Sequence, residues 1–277
     1  MNKNSRVIYA TTELEKSYNN NSLWGKIKDK LYTKHEEDYL IKELGITVSK
    51  VKFPPNFHEN AFERNVHKIN KKFGSNNSSL ALKTIRKLDY YFYSEFQKKL
   101  FAYSVVKSIQ LILMTRQKSI SNSCILVFDG ADEINRYIVF ELAKKSKFFI
   151  LLSNNIRKTR ELCDCIISSF GSSPVVTNDM DFALKSADFI ITSRPLNSIN
   201  KSPIWYLDNT YVPKEYSELI VNDVSYSTPW QVEKLSLTPE LLGAIFANNK
   251  IDDIEEFLGE NKIFIKNIGF ESAKFLP

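Results

Sequence analysis

An α/β fold, a doubly wound parallel sheet preceded by a smaller α/β domain and followed by helices, is predicted by three observations. The second half of the chain alternates short, fully apolar runs with amphipathic ones, the pattern of strands buried on both faces between helical crossovers. One of these runs, "CILVF" at 124–128, breaks at Asp129-Gly130-Ala131 and passes straight into a helical pattern. At 277 residues with 43% apolar content, the chain is also long enough for two modest cores.

Taken in order, "RVIYATT" and "ITVSKVKF" read as strands, the second stopped by Pro54-Pro55, and "NFHENAFERNVHKINKKFG" reads as a helix ending at Gly74. Asn19 to Ser22 is a polar loop. After the polar start at Asn76 to Ser79, apolar residues recur at Leu82, Ile85, Leu88, Phe92, Phe96, Leu100, Tyr103, Val106 and Ile109, which predicts one long helix. A break at Arg116 to Ser123 is taken as the boundary between residues 1–120 and a second domain at 121–230. There "CILVFDG", "KFFILLSN", "SPVVTND", "DFIITSRP", "IWYLDN" and "ELIVNDVS" read as strands. "ADEINRYIVFELAKK", "NIRKTRELCDCIISSFG" and "MDFALKSA" read as helices between the first four. From Thr228 the chain reads as helical, giving a helical segment at 231–277 with Thr238-Pro239 as N-cap and first helical position.

Charge divides with the predicted domains. Residues 1–120 carry 22 Lys+Arg against 11 Asp+Glu, and the remainder carries 16 against 21. A basic part of that kind either docks on the acidic one or recruits an anionic ligand, and solvated surface lysines are the simpler account. Cys124, Cys163 and Cys165 have neither disulfide-framework nor metal spacing, which predicts buried reduced thiols. The longest apolar run, "VVKSIQLILM", is ten residues and is interrupted by Lys107 and Gln110, too short to span a bilayer. A cytoplasmic protein without a membrane partner is expected.

The turn at 129–135 is where the chemistry is sought. A dinucleotide fingerprint needs one glycine for the tight turn, a second for backbone approach to the pyrophosphate, and a third for close helix–strand packing. The frame here is Gly130-Ala131-Asp132-Glu133-Ile134-Asn135, so only the first glycine is kept. A carboxylate at Asp132 held roughly 5 Å from a phosphate charge would repel it by about 3 kcal/mol per unit charge at an effective dielectric near 20. Past the second strand, Ser153-Asn154-Asn155 precede Arg157 and Lys158, with no acid to grip ribose hydroxyls. If a dinucleotide binds, NADP is favoured over NAD.

The stretches "VFDGADEIN", "LLSNNIRKTREL", "ALKSADFIITSRP" and "LIVNDVSYSTP" resemble, in arrangement, the nucleotide-binding domain of the shikimate dehydrogenase and glutamyl-tRNA reductase group, over residues 121 to 235. The resemblance implies a Rossmann-like domain with a degenerate glycine motif. It implies cofactor contacts at Gly130 and Ala131, a 2′-phosphate held by Asn155, Arg157 and Lys158, and a nicotinamide near Thr192 and Ser193. Glutamyl-tRNA reductases use an N-terminal cysteine, and this chain has none before Cys124. Shikimate dehydrogenases use a Lys and an Asp. Lys83, Lys87 and Asp89 supply those residue types but are expected as surface charges on a helix, so no catalytic residue is assigned.

Asn222, Asp223 and Tyr226 sit where a strand ends and are the expected substrate contacts. No metal site is expected. His35, His58 and His67 lack ligand spacing, and acids at Asp129, Asp132 and Glu133 suit a helix start. The aromatics of "DYYFYSEF" are shared between core and surface, and without a recognition motif the basic half is not expected to bind nucleic acid. Two functions stay open. One is an NADP-dependent oxidoreductase acting on a small anionic molecule; the other is a Rossmann-like binding or regulatory protein that has lost the dinucleotide. An adenosylmethionine site is disfavoured by the missing acid after the second strand, and a homodimer stays open.

Overall fold

The computed structural model describes residues 5–74, 78–196, 202–211, 218–230, 235–249, 251 and 253–270. The chain divides into two compact units, both discontinuous. One comprises Met1–Leu100 with Tyr226–Phe264, and the other Phe101–Ser225 with Ile265–Pro277.

The first unit holds strand β1 (Ser5–Thr11), helix α1 (Leu23–Tyr32), strands β2 (Lys34–Ile41) and β3 (Ile46–Lys52), helix α2 (Glu59–Phe73), strand β4 (Ser78–Lys83) and the short helix α3 (Arg86–Asp89). Its sheet runs β2-β3-β1-β4, with β1, β3 and β4 parallel and β2 antiparallel to β3. Val7, Ile8, Ala10, Val48, Val51, Ala81 and Leu82 fill the core. The prediction of one long helix after Asn76 to Ser79 fails here, because its first part pairs with a distant strand. Residues 78–83 pair with β1 from Arg6↔Ser78 to Thr11↔Lys83, so the apolar residues assigned to the start of a long helix belong partly to a strand. The helix α4 (Glu95–Thr115) begins only at Ser94. There the Ser94 hydroxyl accepts from the Gln97 amide and the Gln97 side chain accepts from the Ser94 amide, a reciprocal cap. Strand β2 has no apolar alternation because it is an exposed edge, and its acidic side chains suit that position.

Near the chain's end, helices α8 (Pro239–Ile245) and α9 (Ile254–Glu260) match the helical expectation. Thr238 occupies the cap of α8, but its buried hydroxyl makes no capping bond. A strand, β12 (Phe264–Gly269), follows them where only helix was expected. It forms a two-stranded sheet with β11 (Asp223–Ser227).

The second unit is built on β5 (Cys124–Phe128), α5 (Glu133–Lys145), β6 (Phe148–Leu152), α6 (Ile156–Phe170), β7 (Val175–Thr177), α7 (Met180–Ser186), β8 (Phe189–Thr192), β9 (Ile204–Tyr206) and β10 (Ile220–Val221). The predicted strand "ELIVNDVS" is split at Asn222 into β10, which joins this sheet, and β11, which does not. The six strands run β10-β9-β8-β5-β6-β7, and every pair is parallel. Counted from β5, this is the order 3-2-1-4-5-6 of the Rossmann-like, doubly wound α/β class. Leu126, Phe128, Ile150, Leu152, Ile190, Ile204 and Tyr206 form one cluster inside it. Gly171, at φ +67°, ends α6 in the left-handed conformation that a glycine tolerates. Trp205 on β9 is fastened to α4 by its indole N–H on the Ser108 hydroxyl at 3.0 Å and by an edge contact with Phe101. All three cysteines are free, but only Cys163 is buried; Cys124 is half-buried and Cys165 exposed, because the two positions of "CDC" point to different sides of α6.

Within the first unit, α8 approaches α4 closely at Gly243. A Cβ there would lie 2.8 Å from Gln97 Cγ and 3.0 Å from its Cα. Gln97 cannot yield, since its amide donates to the carbonyls of Leu80 and Glu240. Gly243→Ala is therefore expected to destabilise by about 1–2 kcal/mol despite alanine's better helix propensity, read from the midpoint of urea unfolding.

Candidate functional site

In a sheet of this order, ligands bind outside the carboxyl ends of the strands at the point where the strand order reverses, which here lies between β5 and β8. The chain leaves β5 through Asp129, a non-glycine residue at φ +50°. Gly130 comes next and packs on β6: a Cβ would meet Leu151 Cβ at 3.0 Å, and the Gly130 amide donates to Leu152 O at 3.3 Å. The turn closes with the Asp132 amide on Asp129 O at 2.7 Å, and α5 starts with the Asn135 amide on Asp132 O at 2.9 Å. Gly130 thus lets the turn lie against β6, and three amides of this segment are already used, one on β6 and two within the turn.

The two positions at which a dinucleotide fingerprint would carry its further glycines differ here. Asp132 is the exposed N-cap residue of α5, and its carboxylate makes no capping bond. Asn135 is fully buried, and its side-chain amide donates to Phe128 O and Asp129 O, both at 2.9 Å. The position that a third glycine would leave empty is filled by a group that ties the helix to the carboxyl end of β5. Its own carbonyl oxygen has no hydrogen-bond partner.

Asp129 faces Arg194, which follows β8, in an ion pair spanning the two strands at the reversal point. The contact is close, but it is an ion pair and not an aligned hydrogen bond. Burial pushes the Asp129 carboxyl above its ordinary range; the Arg194 charge opposes this and the neighbouring Asp132 reinforces it. Thr192, fully buried, shapes the turn that carries the arginine: its hydroxyl donates to Arg194 O at 3.1 Å and accepts from the Arg194 amide at 3.0 Å. Ser193 is half-buried between them. Arg194 lies one residue beyond the expected contacts at Thr192 and Ser193, and its one sequence signal is a basic residue soon after an apolar strand run.

The other expected contacts are placed as follows. Asn155 caps α6, its side-chain oxygen accepting from the Lys158 amide at 3.1 Å. Arg157 and Lys158 are exposed, and Arg157 pairs with Glu161 one helical turn on. Ala131 is half-buried beside Gly130. Asn222 follows β10 with its amide on Gly269 O at 3.0 Å and is buried. Asp223 is half-buried, and Tyr226, in β11, is buried with its amide on Leu237 O at 2.8 Å. Among the described residues, no group of three or more His, Cys, Asp or Glu side chains is placed to hold a metal ion.

The first unit contains a polar cluster that the sequence reading misplaced. Asp89, expected as a surface charge, is buried and accepts from the Thr84 amide at 2.7 Å and the Thr84 hydroxyl at 2.5 Å, just past the end of β4. Arg86 and Glu240 are equally buried, with Arg86 Nε 3.6 Å from Glu240 Oε1. Periodicity conceals this, because Asp89 is turned inward by a four-residue helix and not by the long helix the spacing suggests.

No family model and no curated protein sequence matches the chain. Solved structures with a similar fold include a shikimate dehydrogenase in complex with NADP+, at 14% identity and TM-score 0.43, over 78% of this chain and 84% of that one. L-tryptophan dehydrogenase from Nostoc punctiforme is similar at 11% identity and TM-score 0.30 over 68% of this chain. The match spans 55% of that enzyme's length. Ligand-free 5-ketofructose reductase of Gluconobacter sp. strain CHM43 is similar at 11% identity and TM-score 0.36, over 78% of both chains.

Two outcomes are expected. Asn135→Ala leaves the carbonyls at the end of β5 without their donor and costs about 1–2 kcal/mol, measurable by thermal unfolding. Burial raises the Asp89 carboxyl to about 7 against the opposing Thr84 hydrogen bonds. The native state then keeps a proton that the unfolded chain releases near pH 4. Asp89 thus contributes fully below about pH 4, and that contribution is lost as pH rises to about 7. Urea midpoints at pH 5 and pH 8 should differ less in Asp89→Asn than in the parent protein.

Proposed function

We propose that this chain is a Rossmann-like binding or regulatory protein whose turn after β5 no longer holds a dinucleotide. The observation that carries this reading is the Asp129–Arg194 ion pair across the carboxyl ends of β5 and β8. A dinucleotide in a sheet of this order lays its pyrophosphate on the helix N-terminus at this crevice and needs free backbone amides and no opposing charge. Here the turn consumes the Gly130, Asp132 and Asn135 amides, places carboxylates at Asp129 and Asp132, and fills the third-glycine position with the Asn135 side chain. The residues present therefore do not fit a pyrophosphate. A small ligand without phosphate, contacting the Thr192–Arg194 turn and the Asn222–Asp223 segment, suits this chemistry better. Arg194 would be the group that reorients when it binds.

A second reading, an NADP-dependent oxidoreductase acting on a small anionic substrate, is favoured by one observation. Arg157 and Lys158 are exposed just past the carboxyl end of β6, where a 2′-phosphate would be met.

Calorimetric titration with NADPH and NADP+ separates the two. No saturable binding is expected up to millimolar cofactor. Submillimolar binding that is abolished in an Arg157→Ala, Lys158→Ala double variant would overturn the first reading and select the second.

A further inference from the structure

Helix α1 is amphipathic in the opposite sense from an ordinary surface helix. The side it turns to the protein is polar: Asp29 is 1% exposed and accepts from the Tyr18 hydroxyl at 2.7 Å and the Asn56 amide at 2.9 Å, with Arg64 at 3.3 Å from its second oxygen. Gly25, on the same side, lets the helix lie against the preceding loop, since a Cβ there would meet Asn20 O at 2.5 Å. The outward side is apolar. Leu23 is 75% exposed, Trp24 78%, Ile27 52% and Leu31 67%. At 3.6 residues per turn these four fall within an arc of about 100°, opposite Gly25 and Asp29. Lys26 and Lys30 border the arc on one side and Lys28, stacked over the Tyr18 ring at 3.9 Å, borders the other.

We propose that α1 is a membrane-surface anchor that lays this apolar stripe into the interface of an anionic bilayer. A lysine-flanked stripe carrying Trp, Leu and Ile has the composition of an interfacial helix: the apolar side chains enter the headgroup boundary and the lysines meet anionic headgroups. Trp24 belongs at such a boundary because its ring is apolar and its N–H is polar. A second copy of the chain suits the stripe less well. Two-fold packing would bring its lysines against their symmetry mates. Four side chains, exposed by half to three-quarters and at roughly 250 Å² for the largest, fall short of the ~800 Å² per partner of a stable interface. The helix does not cross the bilayer, and none of the described helices is long and apolar enough to do so. No membrane partner is expected from the sequence, because a helix that lies flat needs no long apolar run.

The chain reports on its own insertion, because the other two tryptophans, Trp205 and Trp230, are buried. The full-length protein should be mixed with phosphatidylcholine vesicles, with and without about one third phosphatidylserine, following tryptophan emission and co-sedimentation. The expected result is a blue shift and co-sedimentation with the anionic vesicles only. The shift should vanish in Trp24→Phe, and partitioning should weaken about thirty-fold in a Lys26→Ala, Lys30→Ala double variant. Ile27→Asp, at an exposed position, should keep the circular dichroism of the parent protein and lose sedimentation. The proposal is overturned by any of three results. One is no emission change with anionic vesicles at low salt. Another is vesicle binding unchanged by Ile27→Asp. The last is a concentration-dependent dimer that Ile27→Asp dissolves, which would assign the stripe to a second copy.

Discussion

The Asp129 carboxylate, half-buried at the end of β5 on a backbone of positive φ, faces the exposed Arg194 guanidinium from the end of β8. Burial disfavours the Asp129 charge and the Arg194 guanidinium opposes that effect, so the pair links the turns after the two strands. The turn after β8 is shaped by Thr192 to hold the arginine, the turn after β5 closes on Leu152 and Asp129, and Asn135 secures the carbonyls between them. A crevice that in this strand order would be open to a ligand is bridged by the protein's own charges.

Carboxylates act as fasteners elsewhere in each unit, buried at Asp29 and Asp89 and half-buried at Asp188. Asp188 accepts from the Cys124 amide at 2.9 Å and pairs with Lys118, fixing the start of β5 beside β8; the lysine and the amide hydrogen bond hold its carboxyl below the ordinary range against the effect of burial. Asp29 fixes α1 to the loop that carries Tyr18 and to Asn56. Asp89 fixes the end of β4 through Thr84, with Arg86 and Glu240 nearby. Asp188 and Asp89 each accept a backbone amide at the end of a strand, where ladder partners are lacking, whereas Asp29 accepts from side chains. These contacts also free apolar side chains from core duty. Because Asp29 does the anchoring, Leu23, Trp24, Ile27 and Leu31 are left outside.

The sequence by itself determined the parallel sheet of the second unit, down to its short strands and the helices between the first four. Apolar runs such as "CILVF" and "DFIIT" are local signals, and a strand covered on both faces imprints burial on every residue. It also determined that the turn at 129–135 carries one glycine, Gly130, with Asp132 and Asn135 where a dinucleotide fingerprint would have the others. Only the tertiary structure decided what that turn is tied to, because Asn135 and Arg194 act through partners that spacing cannot reveal: the carbonyls at the end of β5 and the carboxylate of Asp129. The strand at 78–83, the edge strand β2, the inward Asp89 and the inverted α1 were illegible for a related reason. Pairing to a distant strand, or burial of a polar group against distant partners, leaves no periodic trace along the chain, since the free energy that decides it is contributed by residues far away in sequence.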